Sequence, residues 1–244
     1  MVFLDSLDGL EMVFHTEPPQ GSIVLVVGGA GTLKSSFVYN ILQKYLEGHP
    51  DERGIYITFE ESKEGHLNNI KSMGIPVTPQ IQIVDVASFK ADLEVWDSNL
   101  FKEEDYLSLI LERATAPMAA YEPHHSTEAT EDEVPPKYIC IDSMNALLSL
   151  LGIEGPVIRK KLQEFFFKLR TRGVTTFIIL ETQMVDDRPE YFLVDGIIEM
   201  GTDKLGNDIK RYMAVRKMRA TRHEMKPFLL EPGSDGIKII GELF

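Results

Sequence analysis

Short apolar runs recur along the first 180 residues of the chain, and helix-like segments lie between them. The run at residues 23–27 (IVLVV) has the β-branched and aliphatic side chains of a strand that is buried on both faces. Comparable runs lie at residues 55–59, 81–86, 138–141 and 175–180. Apolar residues at helical spacing predict helices at residues 36–46, 62–73, 106–113 and 157–170, the second capped by Ser62. Strands that alternate with helices indicate βαβ units and a parallel sheet.

The pattern changes after Gly196. Residues 197–200, 210–218, 227–230 and 237–240 are strand-like, and turn sequences stand at residues 206–207 and 233–236. No helical period fits between these segments, which favours an antiparallel meander. The sequence therefore predicts an α/β fold in which a mostly parallel sheet is flanked by helices and continued by C-terminal antiparallel strands. The length of 244 residues fits one domain over residues 1–244.

One segment, residues 114–137, departs from this alternation because proline and acidic residues dominate it and apolar residues are few. We expect a mobile acidic loop within the domain. Two sharper hypotheses are a docking segment for a protein partner and a metal site at His124-His125. The histidine pair lacks a third ligand at a suitable spacing, so it is weak support for a metal.

Composition and charge narrow the classes of function. The chain has 25 basic and 38 acidic residues and a net charge of −13, which argues against a protein that coats nucleic acid. A single cysteine, Cys140, excludes an internal disulfide and a multi-cysteine metal cluster. The N-terminus lacks the features of a signal peptide, and no apolar run is long enough to span a bilayer. We therefore expect a cytoplasmic protein that does not enter the membrane.

The strongest chemical signal is the glycine-rich stretch GGAGTLKSS, which joins the first predicted strand to the first predicted helix. Its backbone N–H groups can surround phosphate oxygens, and the helix N-terminus adds partial positive charge. Lys34 would reach the β- and γ-phosphates, and the Ser35 hydroxyl would bind Mg²⁺. The predicted nucleotide-binding residues are Gly28, Gly29, Ala30, Gly31, Thr32, Leu33, Lys34, Ser35 and Ser36. The alternative is a plain glycine-rich turn, but the intact glycines with Lys34 and Ser35 favour phosphate binding.

Leu33 departs from the phosphate-loop pattern, which has a glycine immediately before the lysine. Its Cβ atom would crowd the phosphate side of the turn, and a leucine resists a positive φ angle. Two hypotheses follow, namely slow ATP hydrolysis and ATP binding without appreciable turnover.

Polar side chains also follow three other predicted strands. Asp142 would hold Mg²⁺ together with Ser35, although by itself an aspartate there would more simply cap the next turn. Glu60 and Glu61 would polarise an attacking water, or they would form the acidic start of a helix, and the spacing does not decide between these roles. Gln183, beside Thr182, would sense the γ-phosphate, whereas its simpler interpretation is ordinary strand-end polarity.

A basic segment, KMRATRH, lies late in the predicted meander. Lys217 and Arg219 are two residues apart and therefore share one face of a strand. The simpler interpretation is an edge strand whose charges prevent aggregation. The functional interpretation is a pair of cations that reaches the nucleotide of another subunit.

Taken together, these motifs resemble the KaiC/RadA branch of the RecA-like P-loop ATPases. Five features match in family order over almost the whole chain: the GGAGTLKSS loop, the strand ending FEES, the ICIDS strand, the DGIIEM strand and KMRATRH before a final hairpin. The resemblance implies a RecA fold, ATP and Mg²⁺ as ligands, and ring-shaped homo-oligomers, such as hexamers, with ATP between subunits. It gives Glu60 and Glu61 the role of catalytic glutamates, and it gives Lys217 and Arg219, with His223 nearby, contacts to the neighbour's ATP.

Other departures separate this chain from particular branches of the family. A Ser-Thr phosphoacceptor pair of two-domain members aligns with Tyr191-Phe192, so autophosphorylation of that kind is not expected. We expect no helix-hairpin-helix domain before the core, and this expectation, with the net charge of −13, weakens a DNA-dependent recombinase function. We expect a KaiC-like ATPase with a regulatory or signalling role, and an ATP-binding switch and a recombinase relative are the alternatives.

Overall fold

The computed structural model describes residues 3–85, 107, 110, 112, 135–151, 156–182 and 189–244. This part of the chain contains one sheet of nine strands in the order β3-β2-β4-β5-β1-β6-β7-β8-β9. The strands are β1 (Ile23–Gly28), β2 (Gly54–Thr58), β3 (Ile81–Asp85), β4 (Tyr138–Asp142), β5 (Thr175–Glu181), β6 (Gly196–Leu205), β7 (Asp208–Met218), β8 (Phe228–Gly233) and β9 (Gly236–Glu242). The helices are α1 (Leu10–Val13), α2 (Lys34–Glu47), α3 (Lys63–Ser72), α4 (Met144–Leu151), α5 (Pro156–Thr171) and α6 (Pro189–Leu193), with a 3₁₀ turn at Phe3–Ser6.

The first six strands of that order are parallel, as the alternating pattern predicts. Strand β1 lies between β5 and β6 and is buried at every position, because helices cover both faces of the sheet. On one face Val24 and Val26 belong to the core cluster that contains Phe37 of α2. On the other face Leu25 belongs to the cluster that contains Phe166 of α5. Parallel pairing brings the carboxyl ends of all these strands to one edge of the sheet, where the candidate site lies.

The C-terminal antiparallel meander is confirmed. Strands β6, β7, β8 and β9 pair in sequence, with a bulge between Ile197 and Ile198 and a tight hairpin at Gly233–Gly236. Residues 196–244 are all described and contain no helix. This half extends the sheet beyond β6 and carries the basic segment KMRATRH at the end of β7.

Most predicted helices are present, with ends that differ by a few residues. Ser62 caps α3 as expected, because its hydroxyl accepts a hydrogen bond from the Gly65 N–H at 3.2 Å. Helix α4 was not predicted, and Ser143 rather than Asp142 caps it by accepting from the Ala146 N–H at 3.3 Å. Within predicted helix 106–113, Leu107, Ile110 and Glu112 are helical, whereas the acidic segment up to residue 134 lies outside the described residues.

No helix in the described part of the chain combines the length and the apolar character needed to cross a membrane.

Candidate functional site

The glycine-rich loop leaves strand β1 and enters helix α2 in the way the sequence predicts. Gly28 must be a glycine because a Cβ atom there would collide with the Met200 carbonyl oxygen on the neighbouring strand. Gly31 adopts a φ angle of 75°, which glycine tolerates without strain. A Cβ atom at Gly29 or Gly31 would meet open space, so the loop surrounds an open concavity lined by backbone groups. Such a concavity at a helix N-terminus suits a phosphate group.

Leu33 adopts a left-handed backbone conformation of the kind that favours glycine. Its φ and ψ angles are 72° and 21°, in the left-handed region that a leucine avoids at a cost of about 1–2 kcal/mol. The side chain is half-buried against the core cluster that contains Phe37, and this packing offsets part of the strain. Despite the expected resistance of leucine to a positive φ angle, Leu33 is held in this conformation, and it lines the cavity in front of the loop.

Lys34 begins helix α2 and is largely buried. Its ammonium nitrogen donates a hydrogen bond to the Gly29 carbonyl oxygen at 2.7 Å, which folds the side chain back across the loop. Burial lowers the pKa of Lys34, and the nearby carboxylates of Glu181, Asp142 and Glu60 oppose that effect. A phosphate bound in the loop would add further negative charge beside this ammonium group and would favour its protonated form.

Asp142 ends strand β4 and is buried next to the loop. It accepts a hydrogen bond from the Tyr56 hydroxyl at 2.6 Å, and the Ser35 hydroxyl is a second hydrogen-bond partner. Burial raises the pKa of Asp142, and these two hydrogen bonds counteract the rise. The pair of Asp142 and Ser35 thus offers one carboxylate and one hydroxyl oxygen at the loop, which are the donors that Mg²⁺ accepts beside phosphate oxygens.

The two adjacent glutamates after strand β2 point to different partners. Glu60 is exposed, and its carboxylate accepts a hydrogen bond from the Ser143 hydroxyl, next to Asp142. Glu61 instead turns towards helix α3, where its two oxygens meet His66 and Asn69 at 2.8 and 2.7 Å. The structure thus separates two residues that the sequence spacing could not distinguish.

A cavity of about 410 Å³ joins these groups into one site. Its lining includes residues 30–31 and 33–36 of the loop, Glu60, Glu61, Asp142, Ser143 and Glu181. Thr182 does not line it but faces a second cavity, of about 730 Å³, on the other flank of the loop beside Glu199 and Arg216. Gln183 lies outside the described residues.

Lys217 and Arg219 lie at the opposite end of the sheet from the loop of their own chain. The Arg219 backbone N–H donates to the Asp195 carbonyl oxygen, and Asp195 bonds to Ile23. Ile23 is the first residue of β1, whereas the glycine-rich loop begins at Gly28, the last residue of that strand. The five residue steps from Ile23 to Gly28 correspond to about 17 Å of extended strand. Lys217 donates to the Tyr191 and Val194 carbonyl oxygens at 2.9 and 2.6 Å, and burial lowers its pKa.

His223 is also remote from the loop. Its ring nitrogen Nδ1 lies 3.0 Å from the Thr221 carbonyl oxygen, and its ring lies beside Phe14. The structure therefore does not bring the basic segment and the glycine-rich loop together within one chain.

Several residues at the site were not predicted. Glu181 is the last residue of β5, one position before the polar pair that the sequence singled out, so strand-end position could have identified it. Tyr56 and Ser143 contact Asp142 or Glu60, but nothing in their local sequence distinguishes them from core or cap residues. Arg211 of β7 donates to the Gly31 carbonyl oxygen at 3.1 Å, a contact that depends on the packing of distant segments.

Comparisons with known proteins agree with this geometry. A sequence model described as the KaiC ATPase matches residues 6–243. The circadian clock oscillator protein KaiC of Parathermosynechococcus lividus is 26% identical over 249 residues, which cover 96% of this chain and 41% of that protein. A UPF0273 protein of Methanopyrus kandleri is 24% identical over 96% of this chain and 89% of its own length.

A solved structure gives the same result. The crystal structure of a KaiC-like protein from Pyrococcus horikoshii OT3 superimposes with a TM-score of 0.70 and 26% sequence identity, and the match covers 97% of both chains. The RecA-like fold that the resemblance implies is thereby confirmed, and ATP binding with ATPase activity is supported in general terms. This chain spans about two fifths of the length of the cyanobacterial KaiC that it matches. Because the family model covers almost the whole sequence, the chain belongs to the KaiC ATPase family.

Proposed function

We propose that this protein binds ATP with Mg²⁺ at the glycine-rich loop and hydrolyses it slowly as a homo-oligomer with a regulatory role. The observation that carries the proposal is the meeting of Lys34, Ser35 and Asp142 at one open phosphate-sized concavity. The loop N–H groups and Lys34 would hold the triphosphate, and Ser35 and Asp142 would hold the metal ion. Bound Mg²⁺ would neutralise charge on the β- and γ-phosphates and orient them.

Within this proposal Glu60 is the better candidate for the residue that activates water. Its carboxylate is exposed in the cavity and reaches Ser143 beside the metal-binding carboxylate, whereas both oxygens of Glu61 are bonded to helix α3. A carboxylate within hydrogen-bond reach of a water in line with the γ-phosphate can accept its proton. Gln183 would act as a γ-phosphate sensor at the end of the neighbouring strand.

Lys217 and Arg219 would act on the nucleotide of a neighbouring subunit. They lie too far from the loop of their own chain, so a catalytic contribution requires a head-to-tail neighbour. Rings of this kind, of which a hexamer is one size, place a site at each interface.

Leu33 supports the alternative of an ATP-binding switch with little turnover. Its side chain lines the phosphate cavity, and the loop carries the strain of a left-handed leucine. ATP binding needs only the backbone N–H groups of the loop and Lys34. Hydrolysis also needs a water molecule to be closely aligned with the γ-phosphate.

Phosphate release from Mg²⁺-ATP, measured over a range of protein concentrations, tests the proposal. We expect Lys34→Ala to reduce turnover by about 10²–10³-fold, because it removes the cation that stabilises the transferred phosphoryl group. Lys44→Ala is the matched control, since Lys44 lies on the same helix but faces Asp8 at 3.7 Å. ATP binding that depends on Lys34, without any release of phosphate, would favour the ATP-binding switch. A monomer whose specific activity does not change with concentration would contradict the shared site.

A further inference from the structure

A small cluster on helix α3 accounts for the orientation of Glu61. The His66 ring nitrogen Nδ1 lies 2.8 Å from Glu61 Oε1, and the Asn69 amide donates to Glu61 Oε2 at 2.7 Å. A carboxylate only accepts hydrogen bonds, so Nδ1 of His66 must carry the proton. The Thr58 hydroxyl bonds to the backbone N–H and carbonyl of Glu61, so the backbone of this turn is held as well.

His66 is a rigid support for this contact. Its side chain is buried, with the ring centroid 4.2 Å from that of Tyr56 and 5.7 Å from that of Tyr39. The other ring nitrogen, Nε2, has no hydrogen-bond partner among the described residues, so within that part of the chain Glu61 orients the ring. Because the Tyr56 hydroxyl donates to Asp142, packed side chains connect the carboxylate proposed for the metal with Glu61.

The negative charge of the cavity explains why the position of the Glu61 carboxylate matters. Among the described residues, the carboxylate side chains of Glu60, Glu61, Asp142 and Glu181 line it, and a bound triphosphate would add more negative charge. The N–H groups of His66 and Asn69 satisfy both oxygens of Glu61 and draw its charge towards helix α3. The same contacts fix the backbone next to Glu60, whose carboxylate stays directed at Ser143.

We infer that His66 and Asn69 are positioning residues, which hold Glu61 against helix α3 and thereby keep Glu60 aligned for the attacking water. This inference rests on the proposed ATP hydrolysis. It assigns Glu61 to the support of the site rather than to proton transfer, and it assigns two residues of α3 a part in turnover that no feature of their sequence suggests.

Asn69 offers the sharpest test because it is exposed and can be changed without opening the core. We expect Asn69→Ala to lower kcat about tenfold, and Asn69→Asp more, since a second carboxylate would repel Glu61. The KM for ATP and the melting temperature should change little. Asn68→Ala and Asn68→Asp are the matched controls, because Asn68 is the adjacent exposed asparagine on the same helix.

Two further measurements separate positioning from a purely structural role. His66→Gln retains an N–H donor towards Glu61 and should keep more kcat than His66→Leu, which has none. In a double-mutant cycle, Asn69→Ala should have almost no effect once Glu61→Ala has removed its partner.

The outcomes distinguish the two proposals. Equal effects of the Asn68 and Asn69 substitutions, or additive effects in the cycle, would overturn the positioning role while leaving the proposed hydrolysis intact. A wild-type protein without Lys34-dependent turnover would overturn both.

Discussion

Two clusters of charged residues, one at each end of the parallel sheet, differ in their balance of charge. At the carboxyl ends of the strands, the described lining of the cavity in front of the glycine-rich loop includes Glu60, Glu61, Asp142 and Glu181 together with Lys34. At the amino ends, three cations, Lys217, Arg219 and Arg170, surround one acidic residue, Asp195. The first cluster therefore has more carboxylates than cations, and the cluster around Asp195 has more cations than carboxylates.

The cations of the second end bind the chain's own carbonyl groups. Lys217 and Arg170 donate to oxygens at the end of helix α6, including those of Val194 and Leu193 at 2.6 Å each. Arg219 is more than half exposed and lies 3.5 Å from an Asp195 oxygen. Carbonyl oxygens at a helix end carry partial negative charge, so they accept these cations as weaker substitutes for an anion.

If the proposed function holds, the difference teaches that a single chain contains two halves of a catalytic site but does not bring them together. Ends with complementary charge suit a head-to-tail contact, in which the basic end of one subunit meets the phosphate end of the next. Each prediction below tests whether the two ends are coupled or independent.

Mixing two variants that are each inactive by themselves should give the largest change in turnover. In the proposed mechanism Lys34→Ala lacks the cation that holds the triphosphate and Lys217→Ala lacks a transition-state cation, so we expect each to lose about 10²–10³-fold in turnover. In an equal mixture that assembles at random, about one interface in four combines an intact loop with an intact Lys217, so turnover should recover to about a quarter of the wild-type value.

The control for this experiment is a mixture of Lys217→Ala with the Lys34→Ala, Lys217→Ala double variant. In this mixture every subunit lacks the Lys217 contacts to helix α6 and no interface is complete, so it should stay inactive. If the first mixture also stays inactive while its subunits assemble together, the two ends do not form one site.

Leu33→Gly and Ala220→Gly should change turnover less than the mixing experiment does, and the two substitutions should differ from each other. Among the described residues, Leu33 and Ala220 are the two that are not glycine and have a positive φ angle, of 72° and 54°. One lies at each end of the sheet. Leu33→Gly relieves strain and removes a side chain from the phosphate cavity, so we expect turnover to rise several-fold, with the free energy of unfolding unchanged within about 1 kcal/mol because packing is lost as well.

Ala220→Gly tests the relief of backbone strain at a residue that does not line the phosphate cavity. We expect it to raise the free energy of unfolding by at most about 1 kcal/mol, because relief of strain is partly cancelled by the greater flexibility of glycine in the unfolded chain. Phosphate release and denaturant unfolding should be measured for both variants. Equal effects on turnover would mean that Leu33 acts through general stability rather than through the phosphate site.

The parallel sheet, the meander and the phosphate loop could be predicted because each leaves a local pattern. Buried parallel strands are apolar throughout, and Lys34 and Ser35 follow a strand directly. Helix α4 was not predicted because its sequence MNALLSLL is mostly apolar and only eight residues long, and periodicity alone does not separate a short apolar helix from a buried strand.

The division of roles between Glu60 and Glu61 could not be predicted for a different reason. Both follow the same strand, and their directions depend on His66 and Asn69, which approach only when helix α3 packs beside the sheet. The support from Arg211 to the loop likewise depends on the register of β7, which no local sequence determines. Sequence spacing gives the position of a residue along an element, whereas the partners of its side chain depend on tertiary packing.

A change at Glu199 should affect stability alone, because the charges there are balanced within the chain, in contrast to the cavity in front of the glycine-rich loop. Burial by itself would raise the pKa of Glu199, but hydrogen bonds from Arg216 and Tyr212, both at 2.7 Å, outweigh it and lower the pKa. The stabilising contribution is therefore fully present above the unfolded value of 4.5 and is lost as the pH falls through the lower folded value.

We expect Glu199→Gln to reduce the free energy of unfolding by about 1 kcal/mol at pH 7, discounted because Arg216 is half exposed. The difference from wild type should be complete well above pH 4.5, where the carboxylate of the unfolded chain begins to take up a proton, and should shrink as the pH falls below that value. Urea unfolding at pH 7, 5 and 3.5 measures it, with Glu231→Gln on β8 as the exposed control. A difference that does not depend on pH would show that the glutamine is destabilising through its packing, and the contrast in charge balance between the two cavities would then have no energetic basis.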